Sequence, residues 1–222
     1  MQWFPFKDYV SIFNLAPLII TTTKHHYLQI AKCTIFVYMN SSNHISDSIY
    51  TPQIVEFAAL GVEFASILER GDEKDKYVGR LLHILPRLYS SILSLPNYFY
   101  NPAEDFIEEY ITEQSYEQVR LRAEGILSED DLYLTLVAQD IQYSDTPVAI
   151  HISEHLADIY QHVGNLLGVI KEENDVALPA AIGRCRLYWR EYWGEALISI
   201  LSPLHTILVS QAEHDDFEDE EE

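Results

Sequence analysis

Apolar side chains recur every three or four residues in four long stretches of this chain. That spacing drives each stretch to coil as a helix with one dry face. In the first, Ile54, Phe57, Ala58, Gly61, Phe64, Ala65 and Leu68 form one stripe, with Glu56 and Glu63 off it. Thr51 can cap it, Pro52 suits its first turn and Gly71 supplies a stop. The second starts near Asp72 and buries Leu81, Ile84, Leu85, Leu88, Ile92 and Leu95. Pro86 predicts a kink inside it, and Pro96 ends it. In the third, Ile152, Leu156, Ile159, Val163, Leu166 and Ile170 alternate in steps of four and three, a seam that packs on another helix. Asp145-Thr146-Pro147 reads as its start. The fourth opens at Pro179 and runs to about Ser210, with Ile182, Cys185, Trp189, Tyr192, Ala196, Ile200 and Leu204 inward. Gly194 and Pro203 are its expected bend points.

Shorter elements fill the gaps. Residues 103–111 predict a short helix whose acids Glu104, Asp105, Glu108 and Glu109 form a solvated face. Thr112 or Ser115 can cap another through about Leu127, with Val119 and Leu127 inward. Ser128-Glu129-Asp130-Asp131 reads as a break, and residues 132–137 as either a helical turn or a short extended piece. The expected fold is all-α: an irregular bundle of four long helices plus one or two short ones, kinked at Pro86 and near Pro203.

Charge divides the chain. Of its 222 residues, 35 are acidic and 14 are Lys or Arg, for a net charge of −21. Residues 1–38 hold Lys7, Lys24 and Lys32 against Asp8 alone. Met39 follows, and residues 1–38 read as a leader: an over-extended start before Met39, an export or anchor segment, or an ordinary extension. Residues 39–50 form a flexible lead-in, residues 51–210 the helical domain and residues 211–222 a disordered acidic tail. So acidic a chain repels phosphate backbones and anionic lipid, so neither nucleic acid nor a membrane is the expected partner. Cys33 and Cys185 form no CxxC pair or disulfide framework, which fits a reducing cytosol.

Several segments, in order along the chain, carry a resemblance. They are Tyr50-Thr51-Pro52, Leu85-Pro86-Arg87-Leu88-Tyr89, Tyr143-Ser144-Asp145-Thr146-Pro147, Ala157-Asp158-Ile159-Tyr160-Gln161 and Tyr192-Trp193-Gly194-Glu195-Ala196-Leu197. Over about residues 50–208 the chain resembles an uncharacterised bacterial family, domain of unknown function 5063. The resemblance implies an all-helical cytosolic domain. It implies no activity and no catalytic residue.

Two constellations could carry chemistry. His151, His155, Asp158 and His162 sit at i, i+4, i+7 and i+11, so they share one helical face, and such a face can ligate zinc. Each precedes a seam residue by one position, which makes an exposed polar flank the simpler expectation. Second, Arg184, Arg186 and Arg190 fall within seven residues. Arg186, Arg190 and Trp193 share a face where guanidinium groups could grip a carboxylate or phosphate beside an aromatic plate. The acidic tail, or an acidic segment of a partner, would suit that grip. Internal salt bridges are the plainer alternative.

Enzyme templates fail on the sequence. No His among 151, 155, 162 and 205 has a Glu three residues earlier, as di-iron helices require. The one His-Asp dipeptide, a pair that helical phosphohydrolases carry on a core helix, is His214-Asp215, in the tail. Glu69-x-x-Asp72 and Glu172-x-x-Asp175 fall at helix ends. No P-loop, GxGxxG, GxSxG or HExxH occurs. The expectation is therefore a cytosolic protein-interaction or regulatory module with no cofactor and an unknown protein partner. A metal-dependent hydrolase using Asp145, Asp158 and the His stripe is the alternative, and a structural homodimer a third.

Overall fold

Helix α1 (Pro52–Arg70) buries every residue of its expected stripe, and Glu56 and Glu63 face water. Thr51 precedes it in extended backbone, but its hydroxyl makes no capping bond. Gly71 stops it at a φ of 66°, a left-handed conformation that a residue with a Cβ resists, and its N–H donates to the Ile67 carbonyl. The computed structural model describes residues 49–135 and 148–218. The leader, Met39, Asp145 and the last four acids lie outside the described residues.

Helix α2 (Lys74–Ser94) buries the second stripe against α1. Its helix continues across Pro86. A long connection without helix leads to α3 (Glu113–Leu127), which Thr112 caps by accepting the Ser115 N–H at 3.2 Å. The short helix expected over 103–111 does not form: residues 102–104 make a turn and residues 105–110 are irregular. The cause is long-range, because polar side chains from distant helices take the backbone groups there, as described below.

A 3₁₀ turn (Ser128–Asp131) leads into strand β1 (Leu132–Thr135), which resolves the ambiguous segment as extended. It pairs antiparallel with β2 (Val148–His151), Leu132 opposite His151. Helix α4 (Ile152–Lys171) therefore starts five residues after Pro147, not at it. The strand ladder occupies residues 148–151, where Val148 and Ile150 favour extended backbone. The seam on α4 is buried as its spacing predicts. Fourteen of its 20 residues are buried, because it packs against α1, α3, α5 and α6 and is the axis of the domain. Gly61 lets α1 approach it closely: a Cβ there would lie 2.9 Å from Val163.

Helix α5 (Leu178–Tyr188), a π turn (Trp189–Trp193) and α6 (Gly194–Glu218) form one continuous rod. The π turn adds a residue to the helical repeat and so shifts the phase of everything beyond it. This corrects two expectations at once. Trp193 is fully buried, whereas Tyr192, expected inside, is 62% exposed. Gly194 permits the turn, since a Cβ there would collide with the Trp189 carbonyl and indole. The helix crosses Pro203 and reaches Glu218, past the expected end near Ser210. Extending a formed helix costs far less than starting one. The rod from Leu178 to Ser210 is long and apolar enough to cross a membrane by length and composition alone. Ile182, Cys185, Trp193, Leu197, Ile200 and Leu204 on it are buried in the domain core.

Candidate functional site

The polar stripe of His151, His155, Asp158 and His162 is half-buried, not the exposed flank its phase suggests, and His151 stands in β2, ahead of α4. Tyr133 of β1 and Tyr188 of α5 lie against its histidines, and Tyr116 of α3 bonds its carboxylate. His151 Nδ1 bonds Asp131 at 2.9 Å, and Asp158 accepts the Tyr116 hydroxyl at 2.8 Å. The His155 ring lies 6.4 Å from that of Tyr133, and the His162 ring 4.8 Å from that of Tyr188. Burial raises the Asp158 pKa against the Tyr116 hydrogen bond. Burial lowers those of both imidazoles, His162 to about 4 with help from the Arg184 charge. His155 Nδ1 is buried without a hydrogen-bond partner. His155, Asp158 and His162 are strung over about 10 Å of helix, His151 precedes them in β2, and each of the four faces a different neighbour. Among the described residues, no three His, Cys, Asp or Glu side chains converge to hold a metal ion.

The arginine cluster is dispersed too. Arg184 is buried, and its guanidinium donates to the carbonyls of Ile107 at 3.2 Å and Glu108 at 3.3 Å. Arg186 donates to Ile92 O at 3.0 Å and Leu95 O at 2.5 Å, so it satisfies orphan carbonyls at the end of α2. Trp193 is turned into the core, with Nε1 on the Cys185 carbonyl at 3.2 Å. Only Arg190 stays exposed. The expected anion grip is thus not assembled, because two of its guanidinium groups hold backbone and the π turn rotates its tryptophan inward. Cys185 is buried, and burial pushes its thiol up to about 12, which leaves it inert as a nucleophile.

Two polar residues to which the sequence assigns no role do more structural work. Asp131 is 2% exposed and accepts three hydrogen bonds: the Ser153 N–H at 2.7 Å, the Ser153 hydroxyl at 2.8 Å and His151. It caps α4 from 22 residues upstream and rests at the positive end of the helix dipole. Asn165, mid-way along α4, is 6% exposed. Its side-chain oxygen accepts the N–H groups of Tyr110 at 2.6 Å and Ile111 at 2.9 Å.

Asn165 and Arg184 together seat the connection between α2 and α3, residues 95–112. Three glycines make room for it. A Cβ on Gly164 would strike Ile111, one on Gly168 would strike Tyr110, and one on Gly183 would lie 2.8 Å from Tyr98 O. Within the loop, the Asn101 N–H donates to Asp105 at 2.7 Å and the Ala103 N–H to the Asn101 side chain at 3.1 Å. Its backbone is therefore fixed on the domain. From this fixed platform two rings stand in water: Phe99 is 83% exposed and Phe106 fully so, at 103%. Glu104, Glu108 and Glu109 are exposed around them.

Comparison with solved structures finds protein BF1032 from Bacteroides fragilis. The identity is 28% and the TM-score 0.62, covering 72% of this chain and 94% of that one. No curated protein matches the sequence. Residues 48–210 match the model of a family described as domain of unknown function (DUF5063). That span covers both elements that seat the loop and the whole α4 seam, so the shared unit is the helical domain itself, and the chain belongs to the DUF5063 family.

Proposed function

We propose that this domain is a protein-interaction module that acts through the loop of residues 95–112. One observation carries it: a loop held rigidly by buried Asn165 and Arg184 projects Phe99 and Phe106 almost fully into solvent. Neither ring contributes to the core, and exposed aromatic rings on a fixed scaffold are the typical anchors of a protein contact. Pre-fixing the loop also lowers the ordering cost of binding. The hydrolase alternative has in its favour a raised carboxyl beside two lowered imidazoles on the α4 stripe. Against it, no three His, Cys, Asp or Glu side chains converge to hold a metal ion among the described residues.

The test places a photo-crosslinking phenylalanine analogue at position 99 or 106, with exposed Leu121 as control, in cells of the native host. Position-specific adducts at 99 and 106, abolished at each site when the other ring is replaced by serine, support the module. Adducts identical to those at 121, or a large loss of thermal stability in Phe99→Ser/Phe106→Ser, overturn it.

A further inference from the structure

Resting on the loop as a contact surface, we infer that its partner presents a cationic protein face, rich in Lys and Arg, with apolar sockets for Phe99 and Phe106. No Lys or Arg occurs from residue 96 to residue 119, while six acids do. Two of the six are engaged internally. Asp105 accepts the Asn101 N–H, and Glu117 pairs with Arg120 at 2.7 Å. The other four, Glu104, Glu108, Glu109 and Glu113, are exposed, and among the described residues none has an ion pair. Two guanidinium groups reach the loop, and both donate to main-chain carbonyls: Arg184 to Ile107 and Glu108, and Arg186 to Leu95. Their two charges offset part of the four exposed carboxylates, and the rim around the two rings keeps a net negative charge.

That sign decides between occupants. A second copy of the chain would bring the same field, and at −21 per chain the two faces repel. Nucleic acid and anionic lipid are repelled likewise. A basic protein face gains from the rim carboxylates during approach and from the rings at contact, where Lys and Arg also stack favourably on aromatic faces.

The experiment pans a displayed library of random peptides, about 12 residues long, against the full chain. The enriched sequences are then measured at low salt and at about 0.5 M salt, where screening reduces charge attraction to a few Å. We expect sequences of net positive charge that also carry apolar residues. Their affinity should fall roughly tenfold or more in Phe99→Ser/Phe106→Ser. It should fall by a similar factor in Glu104→Lys/Glu108→Lys/Glu109→Lys, with circular dichroism unchanged, and salt should weaken it. Enrichment that needs the two rings but selects neutral or acidic peptides overturns the cationic partner and leaves the contact loop standing. Enrichment indifferent to both rings overturns the two together. Ring-dependent self-association in sedimentation would assign the face to a second copy. A gain in peptide binding on removing residues 1–38 would assign it to the chain's own leader. Either outcome overturns the inference.

Discussion

Helix α4 and the loop of residues 95–112 touch along Gly164, Asn165 and Gly168, and they are held by opposite means. The helix is held by area: Leu156, Ile159, Val163 and Leu166 are buried against neighbours on several sides. The loop is held by a few directed bonds from Asn165 and Arg184 to its main chain. Area tolerates a fault by repacking, whereas a directed bond either exists or leaves a group unsatisfied. The helix should therefore fail globally and the loop locally.

The largest effect expected is in the seam. Leu156→Ala should lower stability by about 3 kcal/mol through cavity formation, seen as a uniform loss across thermal and denaturant probes. Asn165→Ala should cost about 2 kcal/mol, because it strips the acceptor from two backbone N–H groups, at least one of them buried. Hydrogen exchange should then show Tyr110 and Ile111 opening while the amides of the α4 seam stay protected. Uniform exchange in that variant would merge the two regions into one cooperative unit.

A pH titration probes the half-buried flank between them. The folded pKa of His162 is depressed to about 4 from an ordinary 6.5, so the unfolded chain binds the proton more readily between those values. Stability should be flat above pH 7 and fall as pH drops through 6.5 toward 4, by about 1 to 2 kcal/mol at pH 5. His155 is lowered as well and adds in the same sense, whereas raised Asp158 opposes it. His162→Gln should flatten the curve, and an unchanged slope would remove His162 as its source. The smallest effect on the fold is expected at the tip. Phe99→Ser and Phe106→Ser should change stability by no more than about 0.5 kcal/mol, measured by thermal melting.

The same contrast governs what the sequence makes legible. Stripes such as Ile54–Leu68 and Ile152–Ile170 declare themselves because burial imposes a period on neighbouring residues. The loop gives no such signal. Acids and Pro102 over residues 102–109 look like the first turn of a helix. What overrides them arrives from Arg184, 77 residues from Ile107. Strand β2 was likewise hidden behind a strong helix-start motif, whereas β1 was one of the two readings its segment left open. Asp131, in a run that reads as a mere break, is the residue that sets where α4 begins. Gly194 was a visible hint of irregularity, but a bend and a π turn share that hint, and only the latter moves Trp193 inward. Of the candidate site, the His stripe was legible as a shared face but not as half-buried. Arg184 and Arg186 were legible as a cluster but not as holders of main chain. Phe99 and Phe106 drew no attention, because an exposed ring leaves no pattern.

The Asp131 cap has a consequence for how this chain tolerates change. Asp131 stands immediately before β1, and its partners His151 and Ser153 stand at the end of β2 and in the first turn of α4. The excursion from Leu132 to His151 is thus stapled shut at its base. Lengthening it between Thr135 and Val148 enlarges a closed loop by about 0.6 kcal/mol per doubling and puts no tension on α4. An insertion between those two residues, such as a fluorescent reporter, therefore leaves the brace that starts α4 in place.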